Sequence, residues 1–308
     1  MSKLAVKIFL TYALLCFIWG STWIAIRFGL ESLTPIFSAG LRFSLASILI
    51  FILMRLKNIT LQIDTISIRL YIVMGFFSFV IPFGLVYWAE QFVPSGMAAV
   101  LFAVYPFFVV IFSYLMIPSE SIGIYKIVGT ILGFCGIVVI FSDSFTGDLT
   151  DYLLGMLAVV LSGIMQAAIA VSIKKYGHHL HPLSMNFIPM IIAGISMIFI
   201  GILTENVSTN RIDANAILSI LYLAVFGSVV TFTGFYWLIK RMNIVILSLL
   251  AFITPIVAVI LGYFIYDEVL STQHFIGTAM VLTGIFWANL ASLLKLRKGA
   301  IIKSNVDD

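Results

Sequence analysis

The chain has 308 residues, 62% of them hydrophobic and only 10% charged. Soluble domains carry roughly 45–50% apolar and about 25% charged residues, so this composition excludes a water-covered globular surface of this size. It points to a polytopic integral membrane protein. The net charge of +4 reads as membrane orientation and not as nucleic-acid binding, because the Lys and Arg residues sit in short segments between apolar runs.

A membrane-spanning helix needs about 20 mostly apolar residues. In chain order such runs fall at 8–26, 36–54, 70–89, 96–116, 124–142, 153–173, 183–203, 216–238, 245–266 and 275–294. The first follows Lys3 and Lys7 but is too long for a signal-peptide core, and Arg27 stands where small residues would mark cleavage, so it is expected to be retained. The runs predict an all-α integral membrane protein with ten transmembrane helices. Cys16 and Cys135 fall inside apolar runs and are expected to be small buried hydrophobes.

Orientation charges test that count. With the N-terminus in the cytoplasm, Lys3, Lys7, Arg55, Lys57, Arg69, Lys126, Lys174, Lys175, Lys240, Arg241, Lys295, Arg297, Lys298 and Lys303 lie inside, whereas Arg27 and Arg211 lie outside and Arg42 lies within a span. Asp143, Asp148, Asp151, Asp267 and Glu268 lean outward. Nine or eleven spans would put the C-terminal basic cluster on the wrong side. The expectation is a multi-pass plasma (inner) membrane protein with both termini cytoplasmic.

The chain repeats itself. At a shift of 149, Phe77, Phe83, Tyr87, Trp88, Leu101, Pro106, Val110, Ile111 and Tyr114 meet Phe226, Phe232, Tyr236, Trp237, Leu250, Pro255, Val259, Ile260 and Tyr263. At 148, Glu120, Gly129, Thr130, Gly136 and Ile137 meet Glu268, Gly277, Thr278, Gly284 and Ile285. The first parts of the copies match less well, with Trp19-Gly20 facing Ser162-Gly163. Each copy holds five spans, an odd number, so the second enters from the opposite side. The segment 89–95 has no Lys or Arg, and its counterpart 238–244 carries Lys240 and Arg241. The predicted units are 1–147 and 148–298, inverted with respect to each other, followed by a cytoplasmic tail 299–308. Such a pair supplies two nearly equivalent arrangements, one open to each side, which is the geometry of a secondary transporter.

A transporter of this kind binds its solute near the midplane, where kinked helices and polar side chains meet. Pro106 and Pro255 are repeat mates expected to kink their helices. Candidate cavity residues are Trp19, Ser21 and Thr22 in the first span, Tyr87, Trp88, Tyr236 and Trp237 in both copies, and Tyr105 and Thr254 before the paired prolines. Gln166 in span six must bond a neighbouring helix or a solute, because a buried amide needs partners. Glu90 at the outer end of span three is either a solvated loop acid or a proton or cation site, and Arg42 either snorkels outward or pairs internally. The run His178-His179-Leu180-His181 is short of a fourth ligand and lies beside Lys174 and Lys175, so no metal is assigned. No nucleotide, dinucleotide or hydrolase motif appears, so neither cofactor nor catalysis is expected. Gly129, Gly133 and Gly136 read as small-residue helix packing.

Taken in order, Trp19-Gly20-Ser21-Thr22-Trp23, Arg42-Phe43, Ala89-Glu90 followed by Pro94-Ser95-Gly96, Pro106, Glu120, Tyr236, Pro255, Asp267-Glu268, Gly277 and Gly284 resemble the drug/metabolite transporter superfamily, specifically its EamA-type carriers. Pro118-Ser119 departs from the small or apolar residues common before the Glu. The resemblance implies a central cavity formed mainly by spans one, three, four, six, eight and nine, with five and ten peripheral. It also implies alternating-access movement, most often export, of an amino acid, a related metabolite or a drug.

The expected function is therefore a secondary transporter of a small organic solute, with the lipid bilayer as its surroundings and a proton or other ion as a candidate coupling partner. A membrane sensor or assembly subunit would share the fold without translocating anything. An intramembrane lipid-modifying enzyme would need clustered acids or histidines at one membrane face, and the sequence places none there.

Overall fold

The computed structural model describes residues 3–117, 124–144, 151–207, 212–242, 244–248, 250–268, 271–284, 286, 287 and 290. Among these residues all regular secondary structure is helical, without strands. The helices are α1 (Lys3–Leu30), α2 (Pro35–Leu56), α3 (Thr65–Ala89), α4 (Ser95–Met116), α5 (Ile124–Ser144), α6 (Asp151–Tyr176), α7 (Ser184–Thr204) and α8 (Ala214–Ile239). After them, α9 consists of a turn at Ile244–Leu247 and a helix at Leu250–Tyr266, and α10 covers 272–284. Seven described helices, α1–α4 and α6–α8, are long and apolar enough to cross a membrane, and α5 and α9 contain shorter apolar stretches. The protein is a multi-pass membrane protein. Glu120, the Pro118-Ser119 turn and the basic cluster from Lys295 to Lys303 lie outside the described residues.

Lipid replaces water around these helices, so the surface inverts the soluble pattern. Phe9 and Phe17 on α1, Phe199 and Leu203 on α7 and Phe264 on α9 are each more than half exposed. The interior instead collects small and polar residues such as Ser38, Arg42, Ser78, Ser162 and Asn186. Cys16 is buried, but Cys135 is exposed, contrary to the expectation from sequence. An apolar run gives no sign of which face turns to lipid when all its faces are apolar.

Helix ends are closed by acids at N-termini and by lysines at C-termini, as unpaired backbone groups require. Asp64 Oδ1 accepts the Ile66 and Ser67 N–H groups, each at 3.1 Å, and Asp213 Oδ1 accepts that of Ala216 at 2.8 Å. Lys174 donates to the Ile239 and Met242 carbonyls at the end of α8. The loop histidines serve local structure: His179 bonds Ser67 Oγ at 2.9 Å, and His181 Nδ1 accepts the Leu183 N–H at 3.2 Å.

Two long-range caps fix helix directions. Glu205, just past α7, accepts the Ile36 and Phe37 N–H groups at the start of α2, at 2.8 and 3.0 Å. Glu268, just past α9, accepts the Ser95 and Gly96 N–H groups at the start of α4, at 3.0 Å each. Both pairs, α2 with α7 and α4 with α9, therefore run antiparallel along their contact.

Packing partners recur with the halves of the chain exchanged. Helix α1 lies on α9 and α6 on α4; α1 also lies on α8 and α6 on α3; α2 meets α8 and α7 meets α3. Glycines allow close approach at two of these contacts. A Cβ on Gly20 would stand 2.5 Å from Val257 Cβ, and one on Gly163 would stand 2.8 Å from Val104 Cγ1. The faintly matched Trp19-Gly20 and Ser162-Gly163 of the sequence thus occupy corresponding contacts. Helices α5 and α10 touch through Gly136 and Gly277, where a Cβ on either would lie within 2.7 Å of the other's carbonyl oxygen.

Helices α3 and α8 each contain one π-helical segment, Gly75–Val80 and Val225–Val230. A π turn inserts an extra residue and loosens the backbone ladder, often where function needs it. Helix α4 breaks at Ala103–Val104, directly before Pro106. Pro255 instead lies inside the continuous helix Leu250–Tyr266, with the break of α9 falling earlier, after Leu247. The two prolines share a sequence position but not the same placement relative to a break.

Candidate functional site

The helices surround a cavity. Its lining comes from α1, α2, α3, α4, α6, α8 and α9 and not from the described parts of α5 and α10. The walls are mainly aromatic. Trp19 meets the edge of Phe232 at a centroid distance of 5.6 Å and lies 5.3 Å from Phe235, while Trp23 meets Phe102 at 5.6 Å. Phe102 stacks on Tyr105 at 6.1 Å. A few polar groups interrupt this surface: Thr22, Arg42, Ser78, Tyr105, Ser162, Gln166, Tyr236 and Thr254. Largely apolar walls with a few placed polar groups are typical of small-molecule sites.

Of the residues singled out from sequence, the cavity brings together Trp19, Thr22, Arg42, Tyr105, Gln166, Tyr236 and Thr254. The others lie off it. Ser21 turns to Tyr222, with their hydroxyl oxygens 2.6 Å apart. Trp88 packs against Phe92, and Trp237 lies beneath Lys7 and Arg241. Each Trp follows a Tyr directly, and neighbouring residues on a helix point about 100° apart, so one residue of each pair faces inward and the next faces away. Tyr87 is buried behind Arg42, whose Nη1 donates to its hydroxyl at 3.3 Å. Its repeat mate Tyr236 reaches the cavity. Pro106 and Pro255 sit next to the lining residues Tyr105 and Thr254.

Two polar clasps organise the wall, and both engage a π-helical segment. Pro82 has no N–H to bond the carbonyl four residues back, and that carbonyl, of Ser78, accepts from Gln166 Nε2 at 2.8 Å. The Ser78 hydroxyl in turn donates to Gln166 Oε1 at 2.9 Å. Gln166 thus bonds a neighbouring helix and faces the cavity as well. On the other side, Arg42 donates from Nε to Ser228 Oγ and from Nη2 to the Gly227 carbonyl, both at 2.9 Å. Ser78 and Ser228 are each the fourth residue of their π segment. Arg42 is 1% exposed and lies 5.0 Å over the Phe83 ring.

Glu90, one residue past α3, is 5% exposed, and among the described residues both its carboxylate oxygens lack a hydrogen-bond partner. Burial, and then the nearby Glu268 carboxylate, push it well above the usual carboxylate range, against the opposing pull of Arg27 and Arg42. Glu268 is by contrast well satisfied, since it pairs with Arg27 and caps α4.

Sequence reading passed over Ser78, Phe83, Phe102, Phe232 and Phe235, which also line the cavity. Phe83 and Phe232 had a signal, as repeat mates at the same shift as Tyr87 and Tyr236. Ser78 had one only in hindsight of its geometry, four residues before an in-span proline.

Comparison with known proteins places this geometry. The chain is 28% identical over 281 residues to protein PagO of Salmonella typhimurium, an alignment covering 91% of this chain and 92% of that one. It is 30% identical over 284 residues to the uncharacterized inner membrane transporter YedA of Escherichia coli K12, covering 90% and 89%. It is 24% identical over 281 residues to the uncharacterized transporter YoaV of Bacillus subtilis, covering 91% and 96%. A solved structure, titled only as the crystal structure of a protein, superposes with a TM-score of 0.69 over 92% of this chain and 98% of that one at 16% identity, a likeness of fold. Two successive segments, residues 6–142 and 153–290, match one and the same family, and the chain belongs to that family, the EamA-like transporters.

Proposed function

We propose that this membrane transporter is a secondary carrier that moves a small organic metabolite or drug, in the export direction, by alternating access. Its architecture is read as ten transmembrane helices in two inverted five-helix units, 1–147 and 148–298. The observation that carries the reading is the exchange of packing partners between halves around one cavity. Antiparallel α4/α9 and α2/α7 contacts and two family matches in one chain support the same duplication with reversed insertion. A two-fold arrangement of this kind lets one half rock against the other about a fixed site.

In this reading the aromatic walls stack on the solute's apolar body, and Tyr105, Gln166, Tyr236 and Thr254 bond its polar groups. The hairpins around Pro106 and Pro255 seal the two ends in turn. In this reading the protein lies in the plasma (inner) membrane with both termini cytoplasmic, and the name of its Escherichia coli relative supports the membrane.

The test begins with the solutes that accumulate in the medium of overexpressing cells. Such a solute should show saturable uptake and counterflow in proteoliposomes, and Tyr236→Phe should change its apparent affinity severalfold at unchanged protein abundance. If no accumulated solute shows counterflow, the carrier reading gives way to a sensor or assembly subunit.

A further inference from the structure

We propose that Arg42 is an anion receptor in the cavity and takes the carboxylate of an amphipathic organic solute. This rests on the carrier reading and adds the chemical class of what is carried.

A guanidinium has five N–H donors in a planar fork. Arg42 commits three of them, to Ser228, Tyr87 and the Gly227 carbonyl. One N–H on each terminal nitrogen is left without a hydrogen bond among the described residues. Two N–H groups of one planar fork are what a bidentate carboxylate requires. The three commitments also hold the fork rigidly, so binding costs little side-chain entropy.

The surrounding groups give this cation no ion pair among the described residues, although the Glu90 carboxyl lies within its electrostatic reach. Four groups face it or its neighbours: Tyr87, Glu90, Glu268 and Arg27. Arg27 and Glu268 pair with each other. Glu90 is buried and makes no hydrogen bond, to Arg42 or to anything else described. Among the described residues no carboxylate forms an ion pair with Arg42. Buried charges are ordinarily paired, because desolvation is expensive, and here the residue that carries the unpaired charge is part of the cavity lining. The rings of Phe83, Trp19 and Phe232 that line the same cavity suit a flat apolar body attached to the anionic head.

Three probes of one shape and different charge separate the possibilities: phenylacetate, phenylacetamide and 2-phenylethylammonium. Each is titrated against the full-length protein in nanodiscs of zwitterionic lipid, and binding is followed by quenching of tryptophan fluorescence, since Trp19 and Trp23 line the cavity. Charge-assisted hydrogen bonds contribute about 1.5–3 kcal/mol, so phenylacetate should bind at least about tenfold tighter than phenylacetamide. Arg42→Gln should bring that ratio to about one with phenylacetamide binding retained, and Arg42→Lys should keep part of it. Equal binding of anion and amide by the wild type, tighter binding of the cation, or a ratio unchanged in Arg42→Gln overturns the proposal. The wild-type ratio decides even if Arg42→Gln does not fold. Loss of counterflow for every solute with the phenylacetate preference intact would sink the carrier reading alone, whereas counterflow of an uncharged solute without that preference would sink the anion site alone.

Discussion

Glu90 and Gln166 show how single side chains behave in this interior. Burial holds the Glu90 carboxyl well above the ordinary glutamate value of about 4.3, so the folded protein keeps its proton to higher pH than an unfolded chain does. Stability therefore falls as pH rises above that value, by up to about 1.4 kcal/mol per pH unit until Glu90 itself ionises. Asp64, held low mainly by the Ser67 hydroxyl, and Asp213, held low mainly by the Ala216 N–H, act in the opposite sense and at more acid pH. Thermal unfolding in detergent should show Glu90→Gln more stable than wild type at pH 7.5 and no different at pH 4.5; parallel curves would refute the buried, unpaired carboxylate. Gln166 is bonded at both ends of its amide. Gln166→Leu strands the Ser78 carbonyl and should cost about 1–2 kcal/mol, Ser78→Ala should cost less, and the double variant should be no worse than Gln166→Leu. Additive losses in the melting curves would mean that the two side chains do not act as a unit.

At the scale of elements, close helix approach and local loosening decide the architecture. Gly20 faces Val257 Cβ, an atom with no rotamer to escape through. Gly20→Ala should therefore push α1 from α9 and lower stability by about 1–3 kcal/mol. Gly84 is the control: a Cβ there would meet its nearest neighbour at 3.6 Å, an ordinary contact, so Gly84→Ala should be neutral or slightly stabilising. Equal melting temperatures for the two variants would remove the close-approach argument. Helix existence was legible from apolar runs alone, yet the ends were not. The first run, 8–26, is the core of a helix that covers Lys3–Leu30, and the third, 70–89, belongs to Thr65–Ala89. Hydropathy marks the part that lipid touches, whereas the backbone ladder continues into the polar margins to satisfy its own hydrogen bonds. The π-helical segments Gly75–Val80 and Val225–Val230 had no shared signature in composition, since Pro82 follows the first within α3 and no proline follows the second within α8.

For the whole molecule, orientation is the prediction that follows from charge. After replacement of Cys16 and Cys135, a cysteine at Asp267 should react with an impermeant thiol reagent from outside intact cells, and one at His179 should react only after permeabilisation; both positions are exposed. The reverse labelling would invert the proposed topology and the direction of transport with it. The sequence by itself determined that this chain lives in lipid, roughly where each helix runs, and that its two halves are related, because those properties follow from apolar run length, basic-residue placement and matches at a fixed shift. Only the tertiary structure decided which residues share a space. Every face of these helices is apolar enough for either lipid or protein, so periodicity did not separate Tyr236 at the cavity from Trp237 beside Arg241, or show that Arg42 turns inward to a serine and a carbonyl on a helix almost two hundred residues away.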